Sequence, residues 1–275
     1  MPSKIVLITG CSTGIGQDLA RRLALAGYTV VASARRPETL ADLPAALTLP
    51  LDVTDPASVA GATAEVIRRF GRVDVLVNNA GYAVRGAVEE VSDEQVHEMF
   101  DVNVYGVMRM IRAVVPHMRQ QKAGRIVNIG SVAGKLVLPV NGTYSATKFA
   151  LEALSDALRL ELALFGIQVV LVEPGNIRTN FMATAQAHAQ ATLSAPDSPY
   201  HALYQRYLQA MTAMRQHEPG PEVVSGVVQQ AIEAPHPKSR YLVAVPLSNR
   251  LALLLGDSVT DFIFKRMFKI APSAF

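Results

Sequence analysis

The sequence predicts an α/β fold, one doubly wound parallel sheet with helices on both faces, in a single domain over residues 1–275. Its length suits one large α/β unit, and a hydrophobic share of 50% is ample for a buried core. KIVLIT at 4–9 is a continuous apolar, β-branched run bounded by glycine, the pattern of a strand buried on both faces. A glycine-rich turn, a helical stretch and a second apolar run follow it, the order of a parallel strand-helix-strand unit.

The turn reads TGCSTGIG at 9–16. Gly10 permits the tight bend, and Gly14 and Gly16 are expected to let the backbone approach a pyrophosphate. Around Ile15 the helix start offers unpaired N–H groups and its positive dipole end. QDLARRLALAG at 17–27 carries leucines and alanines at helical spacing and stops on Gly27, a natural residue just past a helix end. YTVVASA at 28–34 returns as the second strand. In this context the glycine trio predicts dinucleotide binding.

Enzymes using NAD place an acidic residue about twenty positions after the glycines, where it binds the ribose hydroxyls. Here the site reads Ala34-Arg35-Arg36. Alanine leaves room for a 2′-phosphate, Arg35 can donate paired charge-assisted hydrogen bonds to it, and Ser12 offers another contact. NADP(H) is therefore expected in preference to NAD(H), against the blander reading that Arg35 and Arg36 decorate a solvated turn.

TYSATKF at 143–149 opens a long helical stretch. Tyr144 and Lys148 stand four residues apart, on one face of that helix. A cationic neighbour favours the phenolate, so the pair predicts a tyrosine that exchanges protons nearer neutral pH than its ordinary value of about 10. Together with the glycine spacing Gly-x-x-x-Gly-x-Gly, the sequence resembles the classical short-chain dehydrogenase/reductase family, nearest its branch of 17β-hydroxysteroid and retinol dehydrogenases.

The resemblance runs from about residue 4 to about 180 and implies a Rossmann-type fold with assigned site residues. In LDVTD at 51–55, Asp52 matches the residue that contacts adenine, with Val53 alongside. VDVLVNNAG at 73–81 ends the fourth strand, where Asn79, Ala80 and Gly81 match cofactor-lining positions. A helix over 92–118 begins with the capping pattern Ser92 to Gln95 and holds Asn103, which matches an asparagine that breaks the helix ladder to hold a water. RIVNIGSVAG at 125–134 gives the fifth strand, with Ser131 past its end. IQVVLVEPGNIRTNF at 167–181 gives the sixth, and Pro174, Gly175, Ile177 and Thr179 match the nicotinamide side. Asn103, Ser131, Tyr144 and Lys148 complete the family's tetrad. The implied activity is hydride transfer between NADP(H) and a hydrophobic ketone or aldehyde and its alcohol. Tyr144 would be the general acid and base, Ser131 would hold the carbonyl, Lys148 would hold the ribose and stabilise the tyrosinate, and Asn103 with a water would resupply the proton. A non-catalytic NADP-binding redox sensor of the same fold is the alternative; a sugar-nucleotide epimerase is disfavoured by the glycine spacing.

Elsewhere the sequence says less. The 26 basic residues are scattered, which gives nucleic-acid binding little support. No apolar run approaches a membrane span, and MPSKIVLITG has no signal-peptide pattern, so a cytoplasmic protein is expected. The single Cys11 is read as a small loop residue, and no metal site is expected. Within 151–162, Leu151, Leu154, Leu158 and Leu162 form one stripe. Ala146, Ala150, Ala153 and Ala157 form another, so the helix is either sunk in the core or paired with a second copy in a homodimer or homotetramer. Residues 181–220 are expected to cover the substrate. His188 is read there as a loop residue, and Leu203, Tyr204, Tyr207, Leu208, Met211 and Met214 lie at helical spacing. Tyr204 and Met211 are the candidate pocket residues, with core packing an equal alternative. The tail at 247–275 mixes Val259, Phe262, Ile263 and Phe268 with Lys265, Arg266 and Lys269. It is expected to close the pocket or pack on a neighbouring subunit, or else to lie on a membrane surface.

Overall fold

The computed structural model describes residues 3–215 and 218–270. Seven parallel strands form one sheet: β1 (Ile5–Ile8), β2 (Thr29–Ala34), β3 (Leu47–Pro50), β4 (Val75–Asn78), β5 (Gly124–Ile129), β6 (Ile167–Pro174) and β7 (Arg240–Val243). Their spatial order is β3-β2-β1-β4-β5-β6-β7. The chain therefore leaves β1 toward one edge and resumes from its other side at β4. That reversal opens a crevice beyond the carboxyl ends of β1 and β4, where ligands bind in such sheets.

Alternation along the strands sorts side chains between two cores. Ile5 and Leu7 join the apolar cluster beneath α2 (Pro56–Phe70), α4 (Gly106–Gln121) and α5 (Gly142–Ala163), reached after α1 (Gly14–Leu25) and α3 (Asp93–Phe100). Val6 and Ile8 join the opposite cluster, with Leu19 and Leu23 of α1. Val224 and Val228 enter that second cluster too, from a later helix, Glu222–Glu233. That helix and β7 were not assigned from sequence. A third cluster lies over the carboxyl edge, where α6 (Asn180–His188), α7 (Gln190–Ser194) and α8 (His201–Arg215) cover the sheet. In chain order the helix at 222–233 is α9, and α10 (Leu247–Ala252) and α11 (Asp257–Met267) complete the chain.

Local chemistry sets the boundaries. Helix α1 starts at Gly14, three residues before the expected 17, so the last glycines lie within its first turn. Gly27 at φ +86° ends it in the left-handed conformation that glycine adopts without cost. The expected single helix over 92–118 is divided. Ser92 and Gln95 form the predicted reciprocal cap of α3, then a wide π turn at Asp101–Tyr105 precedes α4. Residues 181–194 are helical rather than loop-like, and His188 ends α6. The side chains of His188 and Met214 lie outside the described residues.

The tail folds back. Phe268 is fully buried in the third cluster and Phe264 packs against it, while Arg206 of α8 donates to the Lys269 carbonyl at 2.6 Å. A cleft of about 340 Å³ separates α11 from Val137–Val140 ahead of α5. Among the described residues no helix is long and apolar enough to cross a membrane, and no cluster of potential metal ligands occurs.

Arg240 of β7 ties α5 to the sheet. Its guanidinium reaches Glu152, Asp156 at 2.6 Å and Glu173 at 3.3 Å, with Lys135 3.9 Å from Glu152 and from Glu173. Burial and the adjacent Glu152 push the Glu173 carboxyl up. Replacing Arg240 by Met leaves these carboxylates facing one another and should cost about 3 to 5 kcal/mol. A carboxyl raised in the folded state binds protons more tightly there than in the unfolded chain, so the loss should shrink as pH falls from neutral. Denaturant unfolding at neutral and mildly acidic pH measures both.

Candidate active site

The glycine loop is built as much by packing as by ligand access. Gly10 has φ +72°, and a Cβ there would stand 2.8 Å from the Ala80 Cα. At Gly16 a Cβ would lie 2.4 Å from Asn79 Nδ2 and from the Gly10 carbonyl oxygen. The missing Cβ at Gly16 lets α1 close onto Asn79. At Gly14, with φ +62°, a Cβ would stand 3.3 Å from Thr179 of the α6 cap.

Asn79, half-buried, also braces the loop. Its side-chain amide donates to the carbonyls of Thr9 and Gly10, both at 2.9 Å. The Thr9 hydroxyl in turn accepts from the backbone N–H groups of Asn79 and Ala80 at 3.0 Å. This clasp joins the ends of β1 and β4 across the crevice. Val53, expected beside adenine, is buried where a Cβ on Gly106 would meet it at 2.8 Å.

The residues that remain fit the dinucleotide. Thr13 at the α1 N-cap makes no capping side-chain bond and no acidic residue occupies the first turn, so the terminal N–H groups of Gly14, Ile15 and Gly16 are left to an anion. Ser12 is half-buried in the same loop. Asp52 holds Thr54 through Oδ1, at 2.9 Å from the backbone N and 2.7 Å from the hydroxyl. Ala34 is buried at the end of β2, while Arg35 and Arg36 are exposed. On the far side, Gly175 must lack a Cβ because Ala244 O would be 2.4 Å from it. Ile177 and Pro174 are buried there, and Thr179 caps α6 by accepting from Phe181 N at 3.3 Å.

Ser131, Tyr144 and Lys148 meet at the carboxyl edge. Ser131 starts a tight turn after β5 and accepts from Ala133 N at 3.1 Å, which leaves its hydroxyl proton free to donate. Tyr144 lies in the first turn of α5. Its phenol is buried, and burial pushes its pKa up, opposed by the charge of Arg85 and by the Ser131 hydroxyl. The expected downward pull by Lys148 is not what decides this group. The Lys148 ammonium donates to the Ile129 carbonyl at 2.9 Å and stands 5.7 Å from the Tyr144 ring centroid. Burial brings it down to about 8 despite the nearby Glu152 charge.

Asn103 sits in the π turn, 1% exposed. Its amide donates to Tyr82 O at 2.8 Å and to Thr147 Oγ1 at 3.0 Å, and its Oδ1 accepts from Tyr82 N at 2.8 Å. The Thr147 hydroxyl donates in turn to the Tyr144 backbone carbonyl at 2.7 Å. The Asn103 side chain thus holds α5 against the segment after β4, at the point where the helix ladder breaks.

For two further residues the core-packing alternative is the one observed. Tyr204, a candidate pocket residue, is fully enclosed: its oxygen accepts from Ala87 N at 2.9 Å and its proton goes to Glu90, so it anchors α8 over the site. Met211 is half-buried against the same cluster. Cys11 is buried, and its thiol, pushed up to about 12 by burial, stays protonated. Sequence reading passed over Thr9, Thr147 and Arg85. The first two are hydroxyls inside the quoted motifs; Arg85 is a lone charge in the apolar run after Asn78-Asn79-Ala80-Gly81.

Known proteins share this arrangement. The short chain dehydrogenase family profile matches residues 4–190. Human 17-beta-hydroxysteroid dehydrogenase type 1 is 38% identical over 272 residues, covering 94% of this chain and 82% of that protein. A short chain dehydrogenase/reductase from Burkholderia phymatum in complex with NAD superposes with a TM-score of 0.79 at 26% identity, covering 95% of each chain. The closed form of a serine dehydrogenase complexed with NADP+ superposes at 0.76 with 28% identity, covering 89% of this chain and 95% of that one. With the strand order, the glycine cradle and the paired tyrosine and lysine already in place, these matches lead to one conclusion: the chain belongs to the short-chain dehydrogenase/reductase family.

Proposed function

We propose that this protein is an NADP(H)-dependent oxidoreductase interconverting a hydrophobic ketone or aldehyde and the corresponding alcohol, with Tyr144 as general acid and base. The observation that carries the reading is the buried Tyr144 phenol at the carboxyl edge, with the Ser131 hydroxyl and the Lys148 ammonium beside it. When bound, the nicotinamide supplies the hydride. Ser131 orients the substrate oxygen with its free proton. Tyr144, kept protonated by burial, donates to that oxygen in reduction and recovers the proton in oxidation. Lys148, held by the Ile129 carbonyl, provides positive charge for the ribose hydroxyls and for the tyrosinate left behind.

Preference for NADP(H) is supported by Ala34, which puts no carboxylate at the end of β2, and by Arg35 and Arg36, which are exposed and in no ion pair with a described residue. An apolar substrate is supported by the aromatic third cluster over the site, and by the hydroxysteroid activity in the name of the human relative. The inward turn of Phe264 and Phe268 supports a tail that helps to cover the site. A homodimer is supported by α5, whose Leu151 and Leu162 are buried while Ala146, Ala153 and Ala157 face outward. Phe149, Leu160 and Leu164 extend that outward surface. The unreactive lone Cys11 suits a reducing cytoplasm.

Tyr144→Phe should retain NADPH affinity and the fold while lowering kcat for carbonyl reduction by at least about 10²-fold, the scale of a lost general acid; NADPH consumption with a panel of ketones reads this, and near-normal turnover contradicts it. Lys148 is charged below about pH 8 and neutral above it. The kcat/KM for reduction should therefore fall as pH rises through about 8, and Lys148→Met should abolish that limb while weakening the cofactor. A flat profile contradicts the role of the ammonium. Each charged hydrogen bond contributes about 1.5 to 3 kcal/mol, so Arg35→Ala should weaken NADPH by about tenfold to a hundredfold with little effect on NADH. Ala34→Asp should reverse the preference. Kd values for both cofactors decide, and a wild type that prefers NADH sinks the assignment.

A further inference from the structure

Arg85 lies in the segment between β4 and α3, and it is 5% exposed. Its guanidinium carbon stands 4.8 Å from the centroid of the Tyr144 ring. Arginine keeps its charge at every working pH, so a buried guanidinium needs a counter-charge or a full set of acceptors. Among the described residues no carboxylate comes within ion-pair distance of it. Nη1 donates to Asn141 Oδ1, just ahead of α5. Nη2 has only the Met182 thioether of α6, at 3.5 Å, a weak acceptor. Nε is buried without any partner.

The two poorly satisfied nitrogens form one edge. Nε and Nη2 present parallel N–H groups, the fork that accepts both oxygens of a carboxylate. Arg68 of this same chain shows the fit: its Nε and Nη2 hold Glu65 Oε2 and Oε1 at 2.7 and 2.6 Å. In Arg85 that edge meets Met182 of the covering helix, and the guanidinium carbon lies beside the Tyr144 ring. Structural bracing alone would use Nη1 and Asn141 and would not require a second, unpaired edge.

We propose that Arg85 binds a carboxylate of the substrate, which makes the substrate an apolar oxo acid or hydroxy acid whose acid group lies a short chain of atoms from the reacting carbon. This rests on the reading of Tyr144 as proton donor to that carbon's oxygen. The apolar cluster takes the hydrocarbon part and Arg85 fixes which carbonyl faces Tyr144.

The test compares oxo acids, from levulinate upward in chain length, with their methyl esters, in wild type and in Arg85→Met, Arg85→Gln and Arg85→Lys. A second arm measures binding of octanoate and of octanamide to the NADP+-loaded protein. Wild type should favour the acid over its ester by at least tenfold in kcat/KM, and Met or Gln should collapse that ratio, with Lys retaining part of it. Octanoate should bind at least tenfold more tightly than octanamide, a difference lost in Arg85→Met. The proposal is overturned if wild type favours esters, if the acid-to-ester ratio survives Arg85→Met while both rates fall, or if octanoate binds no better than octanamide. Should the variants fail to fold, the wild-type binding arm still decides. Ester reduction that depends on Tyr144 without any acid preference sinks the role of Arg85 alone. Octanoate selectivity without turnover of any carbonyl supports the Arg85 subsite and sinks the oxidoreductase reading.

Discussion

The whole site depends on keeping two ionisable side chains, Tyr144 and Lys148, out of water in the first two turns of α5. Burial disfavours the charged form of each, so it acts in opposite directions: the phenol holds its proton more firmly while the ammonium releases its own near pH 8. On the proposed function, a phenol that stays protonated until a substrate oxygen needs the proton is the donor. The Arg85 guanidinium and the Ser131 hydroxyl moderate the upward push, so the ionised form is reachable during a cycle. Removing water is thus the constraint, and the surrounding charges limit its cost.

Holding that first turn in place falls to buried polar groups. Asn103 leaves the regular helix ladder in the π turn and connects Tyr82 to Thr147, which connects to the Tyr144 carbonyl. Asn78, Asn128 and Ser155 form a second buried row, with bonds of 2.9 Å from β4 to β5 and from β5 to α5. On the other side of the crevice, Asn79 and Thr9 clasp the ends of β1 and β4, and Gly16 lets α1 close over them. Such bonds are directional, so they fix the distance between the cradle and α5 where apolar packing alone would leave it adjustable.

Most of this fold was legible in the sequence because buried parallel strands write themselves as continuous apolar runs. KIVLIT, YTVVASA and VDVLVNN each fell on a strand, and the glycine loop fell at the reversal of strand order. The π turn was anticipated only as a broken ladder at Asn103. β7 was missed because RYLV is half-exposed at the sheet edge. Partners were harder to read than places. Asn79 and Tyr204 stand in the segments expected to form the site, but their side chains bond to protein, which depends on chain segments tens of residues distant. Arg85 had no signal at all beyond being a charge in an apolar stretch; its meaning comes from Tyr144, 4.8 Å from it in space and far from it in sequence.

The most direct test is titration of the Tyr144 phenol itself, by NMR of protein carrying isotope-labelled tyrosine, with the resonance assigned by its absence in the Tyr144→Phe protein. If burial governs this group, Tyr144 in the cofactor-free protein titrates above the ordinary tyrosine value of about 10, and it titrates higher still when Arg85 is replaced by Met. A Tyr144 that ionises below that ordinary value in the cofactor-free protein, or one whose titration ignores Arg85, would contradict the claim that exclusion of water, moderated by the neighbouring cation, sets the proton donor of this site.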